Sequence, residues 1–419
     1  MEARTKPRLL FYCQHSVGIG HLMRSMLLAR RLSERFHVLF LNGGPLPPGV
    51  AVPSEVELID LPPLGMVDGH ELISREAHTD LSAAKAQRRA LVLEVFRRCA
   101  PRALLIELFP FGRKKFAFEL LPLLKAARRS TPTPPLTLCS VRDILVAARP
   151  DQQHHDDRAA WLCRRYFDAV LVHADPRLAR LGESFRPRRA LSTPLYYTGF
   201  VAPQSQSRAV QRGEHALVSA GGGLVGGPLL RTAIEAHKRL PRTARRAMRV
   251  VAGPFLPEGD WRALQVMAHA EPDIELVRSV PALAVEMHQA ALSISQCGYN
   301  TAMDILVSRT PALVIPYCEA REDEQLNRAR RLEGLGFLRM LPPQQLDAEH
   351  LARAILAMHD FRSPTRPLDL SGADTTARLI EAMIAQRGAD AARGKYRIGR
   401  EVFPADRSGH GPLPTWRAA

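Results

Sequence analysis

Gly18-Ile19-Gly20-His21 sets two glycines before a histidine, after a strand-like apolar run over residues 9–12 and ahead of a helical pattern whose apolar face includes Leu22, Met26, Leu27 and Ala29. Glycines let a backbone approach a ligand closely, and the free N–H groups of a helix start favour anionic oxygens. A histidine, with an ordinary pKa of about 6.5, suits proton transfer near neutral pH. Arg24 adds a cation one turn on. A full G-x-G-x-x-G fingerprint is absent, and a tight turn with a capping histidine satisfies the same spacing. His21 is the first candidate for a general base, with His15, at the strand end, and Glu107 as alternatives.

Two further loops carry chemistry. Gly221, Gly222, Gly223, Gly226 and Gly227 lie between a strand and a helix. A plain turn needs one or two glycines, and more are entropically unfavourable, so this loop reads as a diphosphate cradle built from backbone N–H donors. It lacks the Lys-Ser/Thr of a Walker loop, which argues against an NTPase. The third loop, with Gly298, Thr301 and Asp304, enters a helix after a short buried strand, and Glu322, Asp323, Glu324, Gln325 and Asn327 follow the next strand. Acidic and amide groups there can bind vicinal hydroxyls, or can simply form a solvated helix N-terminus favoured by the dipole.

The elements that position these loops alternate along the whole chain. Strand candidates cover residues 9–12, 38–41, 56–59, 103–106, 136–139, 169–172 and 195–198, and then 216–219, 249–252, 274–277, 292–294 and 312–315. Short apolar strands separated by helical patterns predict α/β architecture with parallel sheets, and 419 residues suit two domains. The polar segment 199–213 reads as the linker between domains 1–199 and 214–360. A helix over 373–387 has the place to return to the first domain, and 388–419, rich in Arg, Gly and Pro, reads as a disordered basic tail.

The net charge of +16 would attract nucleic acid, an anionic membrane or a phosphorylated ligand. From Lys85 to Arg129 the cations are opposed only by Glu94, Glu107 and Glu119. Within this interval, the stretch from Phe109 to Leu121 could present aromatics and cations to lipid headgroups, or be a buried strand-loop-helix with solvated arginines. Aromatics make up only 6% and no nucleic-acid motif interrupts the α/β pattern, so nucleic acid is not an expected partner. The six scattered cysteines have no metal-ligand spacing, and His154-His155-Asp156-Asp157 diverge around a helix, so no metal site is expected. No apolar run reaches the roughly 20 residues of a membrane span and no cleavage pattern is present, which points to the cytoplasm, with a peripheral contact at the inner membrane face left open.

Together these loops resemble the GT-B glycosyltransferases, two Rossmann-like domains facing across a cleft, and specifically family 28, which includes the N-acetylglucosaminyltransferase that completes lipid II. Gly298, Thr301 and Asp304, followed by Pro311, Pro316 and Gln325, stand in that family's donor-site order, with Asp304 where the family usually has Glu. The resemblance implies that Asp304 holds the ribose of UDP and Gln325 touches the donor sugar. The group called predicted glycosyltransferases similarly carries elements like Phe109-Pro110-Phe111-Gly112 and Arg142-Asp143-Ile144, and Gly18 to Arg24 also resembles a loop of the UDP-sugar hydrolase of pseudaminic acid biosynthesis. The implied activity is inverting, metal-independent transfer of a hexose-type sugar from a nucleotide sugar, probed at Gly221, Gly222, Gly223, Gly298, Thr301, Asp304, Glu324 and Gln325 for the donor. Gly18, Gly20 and Arg24 would line the acceptor or diphosphate loop, and His21 or Glu107 would act as base. A nucleotide-sugar hydrolase, with water as nucleophile, and a non-catalytic sugar-nucleotide-binding protein are the alternatives. No cofactor is expected.

Overall fold

The computed structural model describes residues 6–15, 20–47, 50, 52–67, 71–75, 79–146, 149–203, 212–319 and 322–392. Its strands in the first half are β1 (Arg8–Cys13), β2 (His37–Asn42), β3 (Val56–Asp60), β4 (Leu64–Val67), β5 (Glu71–Ser74), β6 (Ala103–Glu107), β7 (Leu136–Arg142), β8 (Ala169–His173) and β9 (Leu195–Tyr197). The second half supplies β10 (Ala216–Ser219), β11 (Met248–Val251), β12 (Ile274–Val277), β13 (Leu292–Ser295), β14 (Ala312–Val314) and β15 (Arg339–Met340). One sheet has seven parallel strands in the order β3-β2-β1-β6-β7-β8-β9, and the other has six in the order β12-β11-β10-β13-β14-β15. Leu9 to Cys13 of β1 and all of β6 are buried, as expected of strands covered by helices on both faces.

The helices are α1 (Gly20–Leu32), α2 (Leu81–Cys99), α3 (Ala117–Arg129), α4 (Gln152–Tyr166) and α5 (Leu181–Ser184) around the first sheet, and α6 (Gly227–Arg239), α7 (Glu258–His269), α8 (Leu283–Gln289), α9 (Tyr299–Ser308), α10 (Glu324–Gly334) and α11 (Ala348–Ala357) around the second. A final helix, α12 (Gly372–Ala392), lies against α1, with Ala377 and Ile380 in the first domain's core. No helix among the described residues is long and apolar enough to cross a membrane.

Both sheets reverse strand order at one place, between β1 and β6 and between β10 and β13. Ligands of open parallel sheets bind beyond the carboxyl ends of the strands at such switch points. Those ends are Cys13 and Glu107 in one sheet, and the register-paired Ser219 and Ser295 in the other.

The chain passes from one domain to the other at Gly199 to Val201 and returns at Asp369 to Gly372, and the two crossings are bonded side by side. Phe200 donates to the carbonyl of Asp369 at 2.8 Å, and Gly372 donates to that of Phe200 at 2.9 Å. The crossings touch so closely that a Cβ on Gly372 would lie 2.2 Å from the carbonyl oxygen of Gly199.

Three expectations need correction. The antiparallel hairpin β4-β5 and the edge strand β15 are additional to the predicted strands. Helix α12 continues past Gly388 to Ala392, so the start of the expected tail is helical; residues 393–419 lie outside the described residues, as do 204–211 of the expected linker and Gly18. Arg88, in the basic interval read as solvated, is fully buried and paired with Glu119 at 2.6 Å.

Candidate active site between two helix starts

On the first domain, β1 leads into α1 and β6 ends in Glu107, and their neighbouring positions bring His21 and Glu107 together. His21 Nδ1 lies 2.6 Å from Glu107 Oε1, which also accepts from Arg24 Nη2 at 2.6 Å. Arg113 Nε stands 3.6 Å from the other carboxylate oxygen. Burial pushes the Glu107 carboxyl upward, but His21, Arg113 and Arg24 together hold it well below the ordinary carboxylate range. Burial pushes the His21 imidazole down to about 3, against the opposing pull of Glu107 and with help from Arg113 and Arg142. The ionised carboxylate can only accept, so Nδ1 carries the proton and donates, which leaves Nε2 with its lone pair. His21 retains 15% of its side-chain exposure whereas Glu107 has none, so only the histidine is accessible to a reactant.

Behind this dyad, Leu108 and Arg113 hold positive φ values of 63° and 59°, a strained conformation for residues with a side chain. Phe109 and Phe111 are buried, the latter edge-on to Phe185 at 4.9 Å, and Phe116 is buried as well. The Phe109-to-Gly112 loop is therefore pinned by its aromatics, which fits the buried strand-loop-helix, one of the two readings of this stretch. Arg24, only 2% exposed, is committed to Glu107 and to the face of Tyr299, 5.5 Å from the ring centre, and not to the cleft. His15 is buried with Nε2 3.1 Å from Asn42 Oδ1.

On the second domain, Gly221 and Gly223 take positive φ values of 58° and 89°. The glycine run has two causes. Gly223 and Gly226 are required by packing, because their Cβ atoms would lie 2.6 Å from the Ala252 carbonyl and 2.1 Å from Ala220 Cβ. Their amides also close turns onto Ala220 and Gly223. Gly221 is different: a Cβ there would have only Thr301 Oγ1 nearby, at 3.6 Å, and among the described residues the amides of Gly221 and Gly222 meet no acceptor. Successive unpaired N–H groups in such a turn are the kind of feature that suits an anion.

Thr301 and Asp304 follow on α9, which starts after Gly298, a residue with open space around its Cα. Asp304 is buried, no protein group pairs with it among the described residues, and burial raises its carboxyl to about 8. Gln325 uses Oε1 to accept from the amides of Cys297, at 3.0 Å, and Tyr317, at 3.2 Å. Glu324 has one oxygen on Arg328, at 2.5 Å, and the other on Arg142. The starts of α1 and α9 face one another, with Asn300 Nδ2 donating to the carbonyl of Gly20 at 3.2 Å. His21 and Gly20 thus belong to one side of the cleft, and Gly221, Gly222, Gly223, Gly298, Thr301 and Asp304 to the other.

Sequence reasoning attached no role to Arg113, Arg142, Asp143, Tyr299 or Arg328. Two local signals touch them: the Arg142-Asp143-Ile144 element of the resemblance, and the spacing of Glu324 and Arg328, one helical turn apart.

Two parallel sheets in two domains, with a switch point in each, are the architecture of the GT-B fold. The glycotransferase of kitacinnamycin has a similar structure, with a TM-score of 0.55 and 16% identity, covering 94% of this chain and 100% of that one. MurG of Acinetobacter baumannii has a TM-score of 0.52 and 14% identity, covering 90% and 100%. The sequence of the second domain narrows the likeness: residues 230–373 match the glycosyltransferase family 28 C-terminal domain. A relative from Chromohalobacter salexigens, named UDP-N-acetylglucosamine–N-acetylmuramyl-(pentapeptide) pyrophosphoryl-undecaprenol N-acetylglucosamine transferase, is 26% identical over 251 residues, 54% of this chain and 66% of that protein. The chain spans less than two thirds of the length of the curated relatives it matches first.

Proposed function

We propose that this protein transfers a hexose-type sugar from a UDP-sugar to an acceptor hydroxyl, with inversion and without a metal. The observation that carries the reading is the neutral His21, oriented by Glu107, across the cleft from an unpartnered Asp304 and the free amides of Gly221 and Gly222. His21 Nε2 takes the proton of the acceptor hydroxyl while that oxygen attacks the anomeric carbon from the face opposite the diphosphate. The bond from the anomeric carbon to the diphosphate oxygen breaks and UDP departs with the electron pair. Glu107 keeps the imidazole in the productive tautomer and stabilises the imidazolium that forms. The amides of Gly221 and Gly222 and the helix start receive the diphosphate charge, and Asp304 with Thr301 holds the nucleoside hydroxyls.

A peripheral contact with anionic membrane is a further part of this reading. It is supported by α4, where Trp161 is 51% exposed and Arg158 and Arg165 stand three residues before and four after it, on the same helix face.

The test is a thermal-shift screen of nucleotide sugars, in which a ligand at about 100 times its Kd stabilises by roughly 2.7 kcal/mol. No response to any nucleotide sugar would refute the donor assignment. With a responding donor, UDP should be released slowly until an acceptor is added. Fast acceptor-independent release of UDP and free sugar would instead establish a hydrolase.

A further inference from the structure

We infer that Arg142 and Asp143, which belong to the first domain, are positioning residues of the donor site on the second. Through Glu324 and Arg328 they fix the peptide from which the donor helix starts.

The chain sets this arrangement up at the carboxyl end of β7, beside the strand that delivers Glu107, where Arg142 and Asp143 reach the face of α10. Arg328 Nε and Nη2 bind the two oxygens of Asp143 at 2.7 and 2.8 Å, a paired contact between residues 185 apart in sequence. Its Nη2 also reaches Glu324 at 2.5 Å, and its Nη1 donates to the carbonyl of Cys297 at 2.9 Å. Arg142 takes the remaining oxygen of Glu324. The result is a quartet of two cations and two anions, in which Arg328 and Asp143 have no exposure at all.

The peptide unit held by this quartet is the one that matters for α9. The carbonyl of Cys297 receives Arg328 while its amide donates to Gln325 at 3.0 Å. Gln325 and Arg328 are both on α10, so Cys297 is clamped by one helix, and that helix is tied to the other domain through Asp143. The next residue is Gly298, whose open surroundings provide no packing restraint of their own. Tyr299 follows, and its ring is stacked between Arg328, 5.7 Å from the ring centre, and Arg24 of the His21 cluster, at 5.5 Å. Replacing a buried ionic group by well-packed apolar residues is often neutral or stabilising. What the quartet adds is direction: its planar guanidinium and carboxylate groups fix the angle and position of the loop that leads to Thr301 and Asp304.

The same contacts assign Glu324 to the quartet, with both of its oxygens engaged by guanidinium groups, and leave the sugar to its neighbours. A substitution at Asp143, on the far side of the domain boundary, should therefore weaken nucleotide binding without touching the nucleotide.

This inference rests on reading the α9 loop as the nucleotide site, and two measurements separate the two ideas. Asp143→Asn and the milder Arg142→Gln are made in the full chain, and UDP affinity is measured by calorimetry. Amide exchange is followed without ligand at Cys297 to Thr301 and, as a reference, in β2. We expect UDP affinity to fall about tenfold or more, the loss typical of a charge-assisted hydrogen bond. Exchange should quicken at Cys297 to Thr301 and stay unchanged in β2. If Asp143→Asn does not fold, Arg142→Gln decides. Unchanged exchange in the loop, or equal acceleration throughout the chain, overturns the positioning role. Wild-type protein that binds no UDP while the variants still loosen the loop would refute the nucleotide reading and leave the positioning role supported.

Discussion

Asn300 donates to the carbonyl of Gly20 across 3.2 Å, so the helix carrying His21 and the helix carrying Thr301 and Asp304 begin at one point of the molecule. On the proposed reading, a reactant that reaches Thr301 and Asp304 lies beside His21. Activity and binding at this junction can be separated by substitution, because the groups assigned to each lie on different domains.

His21→Ala should lower turnover by about 10² to 10⁴-fold, the usual contribution of a general base, and leave UDP affinity nearly unchanged. Burial holds the wild-type imidazole down at about 3. The acid limb of kcat/KM due to this group should therefore lie below the ordinary histidine range, and the profile should stay level as pH falls through about 6.5. A normal turnover with weakened UDP binding would make His21 a binding residue.

Glu107→Gln removes the carboxylate that Arg24 and His21 share. An uncompensated buried charge is destabilising by about 3–5 kcal/mol. Urea unfolding should show that loss, and a stability equal to wild type would mean that Arg24 finds another partner.

The ligand-free protein should lose stability as pH rises, because of Asp304. Its carboxyl is raised to about 8 in the folded chain by burial, against an ordinary value of about 3.9 when unfolded. Between these values the native state holds a proton that the unfolded state has released, so this contribution is full below about pH 4 and is lost through about pH 8. Asp304→Asn cannot ionise. Its stability relative to wild type should grow across that interval, and parallel unfolding curves would show that the wild-type group is already ionised.

The two glycines of the cradle should respond differently to alanine. Gly221→Ala meets only an ordinary contact with Thr301 Oγ1, at 3.6 Å, and should cost about 1–2 kcal/mol, the left-handed backbone penalty. Gly223→Ala should cost more, because its Cβ would lie 2.6 Å from a backbone carbonyl. Equal unfolding free energies would place the whole effect in the backbone angle.

Trp161→Ala should reduce binding to anionic vesicles, and rising salt should weaken the wild-type interaction. Sedimentation with anionic and neutral vesicles measures both. Equal partitioning onto the two, or none onto either, would leave α4 a solvated face.

The parallel strands were legible because strands buried on both faces are short apolar runs, and β1, β6 and β8 are of this kind. The hairpin was not: its second strand, Glu71–Ser74, runs exposed, buried, half-buried, half-buried, and so lacks the clean alternation that marks a strand. At the site, the glycine loops were visible from their own spacing, and Asp304 was singled out by the donor-site order of the resemblance. The partnership of His21 with Glu107 joins residues 86 apart, and that of Asp143 with Arg328 joins residues 185 apart. No local pattern encodes either contact: pairing of β1 with β6 in one sheet creates the first, and the meeting of the two domains creates the second.

The adjoining crossings at Gly199 and Gly372 restrict how the two domains can move. Two strands of chain bonded side by side act as a door hinge with paired pins: they permit rotation about a common line but oppose sliding and independent tumbling. A side chain at either glycine would wedge the pins apart, since each Cβ would lie within 2.6 Å of atoms on the opposite crossing. Gly199 and Gly372 thus bear on the angle of the cleft from outside it, beside the contacts that join the domains at the site itself, such as Asn300 with Gly20 and Asp143 with Arg328.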